Sequence, residues 1–185
     1  MSIATKTGDQ GKTRFFSGET VTKSHPRLET YGTLDEVISA LGLARSLCQV
    51  TAVRDEVHTT QRELFQLGAE LATPNPAAAP FQIAPLTATH LARLDQLVLH
   101  YEATIRLPRA FIVPGGTPSA AALDVARTVC RRFERLLVRM AEAGEFQNHD
   151  ALKYINRLSD VCFLWARAEE AAAGVAYESV SGRAP

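Results

Sequence analysis

Four arginines and one glutamate crowd residues 127–135, and their spacing is helical. Arg127, Arg131, Glu134 and Arg135 stand at i, i+4, i+7 and i+8, so they share one helical face, with Arg132 beside them. Four guanidinium groups and no lysine in this stretch favour planar, forked recognition of phosphate. The same face also reads as a solvated surface on which Glu134 pairs with its neighbours, an arrangement of little energetic value.

A second anion-binding candidate lies near the N-terminus, in Thr5-Lys6-Thr7-Gly8-Asp9-Gln10-Gly11-Lys12-Thr13. It contains Gly-x-x-Gly-Lys-Thr, two residues shorter than the loop of phosphate-binding NTPases. That loop opens a helix, whereas here Arg14-Phe15-Phe16-Ser17-Gly18 follows, so a P-loop enzyme is not expected. The ingredients remain those of an anion cradle: glycines that let the backbone approach, threonine hydroxyls, and the charges of Lys6 and Lys12. An unstructured terminus is the alternative.

Asn156 and Asp160 form another i, i+4 pair, and both are poor helix formers, so they either bond something specific or face water. The run Phe111-Ile112-Val113-Pro114-Gly115-Gly116 is apolar and ends in a double-glycine turn. It suits the wall of a flat apolar ligand or a core segment.

These residues need elements to hold them, and from residue 31 onward the apolar period is helical. Five stripes advance in steps of three and four: Leu34 to Cys48, Val53 to Leu71, Leu91 to Ile105, Leu123 to Met140, and Ile155 to Trp165. Thr33 with Glu36 reads as a capping box opening the first helix, Tyr31-Gly32 being the turn before it. Thr117-Pro118 reads as an N-cap followed by proline at the first helical position, and Gly144 as the end of that helix. Pro74, Pro76, Pro80 and Pro85 mark a surface connection. The expected fold is an all-α, five-helix bundle with an irregular N-terminal arm. We expect a single domain: an arm over 1–30, a bundle over 31–175 and a tail over 176–185.

The 185 residues carry 20 basic and 20 acidic side chains, so the chain has no excess cation for a nucleic-acid backbone, and no nucleic-acid partner is expected. No run of 18 apolar residues exists and no membrane partner is expected. Cys48, Cys130 and Cys162 match no zinc or redox spacing and fall on apolar stripes; we expect buried thiols and a cytoplasmic location.

Taken together, Thr5–Gly11, Tyr31-Gly32-Thr33-Leu34-Asp35-Glu36, Phe111–Gly116, Ala126-Arg127-x3-Arg131-Arg132-x-Glu134-Arg135 and Asn156–Asp160 resemble, in order, the PduO-type ATP:cob(I)alamin adenosyltransferases. The resemblance implies a ferritin-like, cobalamin adenosyltransferase-like bundle forming a homotrimer with sites at subunit interfaces. It implies transfer of the 5′-deoxyadenosyl group of ATP to cob(I)alamin, releasing triphosphate. Lys6, Thr7, Gly8, Asp9, Gly11, Lys12 and Thr13 would then bind ATP, together with Arg127, Arg131, Glu134 and Asn156. Mg²⁺ would arrive with ATP rather than by tight protein ligation. Arg127 and Arg131 would act catalytically with Asp35, which would pair across the interface with the arginine at 127. Phe111 and Asp160 would contact the corrinoid, cob(II)alamin or cob(I)alamin, with a flavin-type reductase as electron source. Gln10 departs from the basic residue common among relatives, and Tyr177 is a candidate second corrinoid aromatic.

Two other classes compete. A nucleotide-sensing bundle would use the same phosphate residues without chemistry. A di-iron bundle requires Glu-x-x-His on two helices, and no glutamate here has a histidine three residues on.

Overall fold

The computed structural model describes residues 4, 6–107 and 111–180. Thr5 of the arm motif and the tail from 181 to 185 lie outside the described residues. Among these residues the chain forms a short hairpin, β1 (Lys12–Arg14) and β2 (Thr20–Thr22), then α1 (Pro26–Leu47), α2 (Thr51–Leu71), α3 (Ala88–Thr104), α4 (Pro118–Glu142) and α5 (His149–Ala172). The strands are antiparallel, with Thr13 opposite Val21. The bundle expected from the stripes is present.

Helix α1 packs on α2 and α4, while α5 packs on α4 and α3. The core comes from the stripes: Leu34, Val37 and Leu41 meet Leu123, Cys130, Phe133 and Leu137, with Ile155, Leu158 and Trp165 behind them, all buried. The three cysteines are free and buried, as their apolar phase requires. Two carboxylates on α2, half-buried Glu56 and buried Glu63, tie the layers together. Glu56 accepts from the Trp165 indole at 2.6 Å and the Tyr101 hydroxyl at 2.7 Å, and Glu63 accepts from the Tyr154 hydroxyl at 2.6 Å. Each bond satisfies a group whose burial unpaired would cost about 1–3 kcal/mol.

Helix α4 begins and ends as its sequence predicts. Thr117 Oγ1 accepts from Ala120 N at 3.1 Å, and Pro118 follows it. At the far end Gly144 adopts φ 74°, and Glu145 N donates back to Met140 O at 2.9 Å. This reversal needs the left-handed conformation that glycine adopts without a side-chain clash.

Helix α1 differs from the sequence expectation. It starts at Pro26, with His25 Nδ1 accepting from Arg27 N at 3.1 Å. Thr33 is therefore inside the helix: its hydroxyl donates to Glu29 O, and Glu36 pairs with Arg132 instead of closing a capping box. Tyr31-Gly32 continues the helix because Thr30, Thr33 and Leu34 are buried against the bundle, and packing outweighs the glycine penalty. The arm is likewise not wholly irregular, since the hairpin lies within it. Phe15 is buried beside His25, and Phe16 N bonds Ala72 O at 3.0 Å, fixing the hairpin at the C-terminal end of α2.

Candidate functional site

The arginine face of α4 borders a cleft of about 320 Å³. Arg127 and Arg131 line it from α4; Arg157, Ser159, Asp160, Phe163 and Leu164 line it from α5; Val98 and Glu102 close it from α3, with Leu107 just beyond. Helical spacing places Arg127 and Arg131 one above the other, so both guanidinium groups reach the same space.

Arg127 is anchored at one point. Its Nε donates to Asp124 Oδ1 at 3.0 Å, and among the described residues it makes no other side-chain hydrogen bond, so four of its five N–H donors stay available. The Arg131 side chain is exposed and makes no hydrogen bond or ion pair among the described residues. One turn further on, Asn156 Nδ2 donates to Glu134 Oε1 at 2.8 Å, joining α5 to α4; Glu134 Oε2 has no hydrogen bond among the described residues. A carboxylate with a free oxygen beside two arginines fits a nucleotide carrying Mg²⁺, which dehydrates reluctantly and is usually held through one or two carboxylates plus phosphates.

Asp160 stands 3.7 Å from the Arg157 guanidinium. Burial raises its carboxyl above the usual value, while Arg157 and Arg131 pull it down and Glu134 and Glu102 push it up. The cleft thus combines an apolar floor, Phe163 and Leu164, with cations and one carboxylate whose ionisation is resisted.

Phe111 is 89% exposed. Its segment is held in place by the chain's far end: Val113 N donates to Glu178 O at 2.8 Å and Val180 N to Phe111 O at 3.0 Å. Tyr177 caps Arg106 O with its hydroxyl at 2.9 Å and lines a separate cavity of about 230 Å³.

The arm is not brought to the arginines within one chain. Residues 6–11 form a tight turn beyond the hairpin, with Asp9 N on Lys6 O, Gly11 N on Gly8 O and Lys6 at φ 57°. Lys6, Asp9 and Lys12 share no hydrogen bond or ion pair with Arg127, Arg131, Glu134 or Asn156. The hairpin docks where α2 ends and α4 turns into α5, and Arg27 marks that corner by bonding Leu71 O and Glu145 O. Along the α4 axis, Arg131 and Arg127 lie about 18 and 24 Å from the C-cap. Asp35 is exposed and makes no hydrogen bond or ion pair among the described residues.

Phe163 and Arg157 were not singled out from the sequence. Phe163 sits one position off the apolar stripe of α5, and that offset is the only signal that it faces a cleft. Asp124 and Arg167 were also missed; both are buried charges, Asp124 beside the stripe residue Leu123 and Arg167 just beyond the end of the last stripe. A larger cavity, about 560 Å³, opens at the starts of α2 and α4. It has no cation, and its carboxylate, Glu169, is already bound to Gln49 N, Val50 N and Ser119 Oγ.

The fold defines a five-helix bundle, and the cleft lined by Arg127, Arg131 and Phe163 is its candidate anion site. Comparison with known proteins gives its family. The profile described as cobalamin adenosyltransferase matches residues 3–169. A corrinoid adenosyltransferase of Citrobacter freundii is 39% identical over 168 residues, covering 91% of this chain and 94% of that protein. The corrinoid adenosyltransferase PduO of Salmonella typhimurium is 40% identical over 175 residues, covering 92% of this chain; the chain spans 50% of that longer protein. A solved structure of a phenylalanine-to-alanine variant of the PduO-type ATP:corrinoid adenosyltransferase from Lactobacillus reuteri, complexed with cobalamin and ATP, superposes with a TM-score of 0.88 at 33% identity, covering 96% of this chain and 98% of that one. The chain belongs to the cobalamin adenosyltransferase family.

Proposed function

We propose that this chain transfers the 5′-deoxyadenosyl group of ATP to cob(I)alamin, with the triphosphate restrained by Arg127 and Arg131. The observation that carries the site assignment is the cleft in which these arginines present uncommitted N–H donors above Phe163 and Leu164. The Co(I) lone pair attacks C5′, the C5′–O bond breaks, and the triphosphate departs with the bonding electrons. Cobalt in this state is itself a strong nucleophile, so the protein's work is alignment of the attack line and stabilisation of the leaving charge. Arg127 and Arg131 meet that charge, Glu134 and Asn156 hold the nucleotide, and Mg²⁺ enters with ATP. Phe111 supplies an apolar surface to the corrinoid, excluding water from cobalt so that cob(II)alamin is more easily reduced by a flavin-type reductase. Asp160 lies at the same pocket.

The working form is a homotrimer whose sites lie between subunits. The separation of the Lys6–Thr13 arm from the arginine face supports this, because an arm from a neighbouring subunit can complete a site that one chain leaves open. Asp35, exposed and unpaired here, then reaches a neighbour's arginine at 127. The mass in solution tests it: a trimer weighs about 61 kDa, three times the chain's 20.2 kDa. No helix among the described residues is long and apolar enough to cross a membrane, and three free thiols accord with a reducing cytoplasm.

The test of the activity is to incubate pure protein with ATP, Mg²⁺ and chemically reduced cobalamin in the dark, then record spectra before and after illumination. A light-sensitive cobalt–carbon species and one triphosphate per turnover are expected. ATP binding without either product would identify a nucleotide sensor instead.

A further inference from the structure

A chain of buried charges runs from the interior of the bundle to Arg127. Arg167 is 0% exposed, one turn below Phe163 on α5. Its Nη2 donates to Asp124 Oδ2 at 2.9 Å and to Glu170 Oε1 at 3.0 Å, and its Nε lies 2.8 Å from Glu170 Oε2. The other oxygen of Asp124 accepts from Arg127 Nε at 3.0 Å. One carboxylate is therefore divided between two arginines, one sealed in the core and one facing the cleft. Glu170 also accepts from Gly116 N at 3.3 Å, at a place where a Cβ on residue 116 would come within 2.8 Å of its carboxylate. The same chain thus reaches the loop that follows Phe111.

We propose that Asp124 and Arg167 are positioning residues for Arg127, fixing its Nε so that its terminal nitrogens face the subunit interface, where the triphosphate and the neighbour's Asp35 meet them. This deepens the adenosyltransferase reading and rests on it. Three charges sequestered this way, Asp124, Arg167 and Glu170, are a poor device for stability alone, since apolar residues of like volume commonly replace such clusters without loss. Their geometry instead suits orientation. Asp124 cannot turn about its carboxyl axis without breaking a bond to one arginine, and Arg167 is held by Glu170 and lies 4.9 Å from the Phe163 ring centre. Within its own chain, among the described residues, Arg127 has no other hydrogen-bond partner to set its direction. Holding a donor group in its productive direction before the ligand arrives lowers the reorganisation needed at the moment of reaction.

The test is a double-mutant cycle on full-length protein with ATP, Mg²⁺ and preformed cob(I)alamin, comparing Asp124→Asn and Arg127→Ala singly and together. Asp124→Asn is expected to lower kcat/KM for ATP about tenfold or more, in line with groups that orient a primary ligand. With Arg127 already alanine, the same substitution should cost less than about twofold, because its route of action is gone. Equal losses in both backgrounds would overturn the proposal, leaving Asp124 a packing group only. If Asp124→Asn fails to fold, Asp124→Glu keeps the charge for Arg167 while displacing the carboxylate by one methylene, and the same coupling must appear. Absence of any product from the unsubstituted protein would sink the adenosyltransferase reading itself, an outcome distinct from loss of coupling between active variants.

Discussion

Asn156 and Glu134 sit on neighbouring helices and are joined by a 2.8 Å hydrogen bond from the amide to a carboxylate oxygen. Both are at least partly open to solvent, so the bond adds little to the fold; its effect is to hold one carboxylate beside the arginine face. Asn156→Ala should therefore change stability by no more than about 0.5 kcal/mol. It should weaken ATP binding roughly tenfold, equivalent to about 1.4 kcal/mol. Calorimetric titration with Mg-ATP, set beside a denaturation curve, checks both numbers. A large stability loss with unchanged ATP affinity would make the pair structural.

Arg131 offers a clean separation of fold from activity, because its side chain makes no hydrogen bond or ion pair among the described residues. Arg131→Ala is expected to reduce turnover about 100-fold or more, the scale seen when one preorganised donor to developing negative charge is removed. Melting should stay unchanged. Arg131→Lys should recover only part of the rate, since a point charge replaces a planar fork. Near-normal turnover by the alanine variant would remove this arginine from the mechanism.

Much of this was legible in the sequence, and the reasons for the rest are physical. The bundle could be read because each helix carries an uninterrupted stripe, and the ends of α4 because Thr117-Pro118 and Gly144 act locally. Thr33 and Glu36 misled because Ser/Thr-x-x-Glu also occurs inside helices, where the threonine bonds back to the preceding turn as Thr33 does to Glu29. The three-residue strands of the hairpin are too short to show a period. The role of Asp124 depends on Arg167, 43 positions away on another helix, so no local pattern announces it. The placement of the arm, held at Ala72 and far along α4 from Arg131, likewise comes from tertiary contacts alone.

Phe111 contributes almost nothing to the core, being 89% exposed, so its ring is available to a ligand. Phe111→Ala should leave stability within about 0.5 kcal/mol of the parent. Turnover from cob(II)alamin with a flavin reductant should fall at least about tenfold, and more than turnover from preformed cob(I)alamin. Equal losses in the two assays would assign Phe111 to binding rather than to exclusion of water from cobalt.

The thiols supply a probe of packing. Cys130 and Cys162 are completely buried, and burial pushes the thiol of Cys162 up to about 12 and that of Cys130 well above its ordinary value. Cys48 is also driven up to about 12, by burial and by the carboxylate of Glu169. At pH 8 almost no thiolate exists in the folded protein, and the thiolate is the reactive form. An aromatic disulfide reagent should therefore label none of the three thiols within minutes, and all three after denaturation. Rapid labelling of one thiol in native protein would show that its helix opens locally.

Asp160 makes the pH dependence of stability testable. Burial raises its native carboxyl above the ordinary 3.8, outweighing the pull of Arg157 and Arg131. A raised acid means that the native state binds the proton more tightly than the unfolded chain does. Stability therefore declines as pH climbs from about 3.8 through the native value, then levels. Asp160→Asn cannot ionise, so its profile should lack that decline, and above the window it should be the more stable protein. The gain should stay under about 1 kcal/mol, because the side chain is 54% exposed and solvent screens its charge. Urea unfolding at fixed protein concentration, repeated from pH 4 to 8, measures the difference. A variant less stable than the parent at neutral pH would mean that attraction to Arg157 and Arg131 dominates the carboxylate's environment.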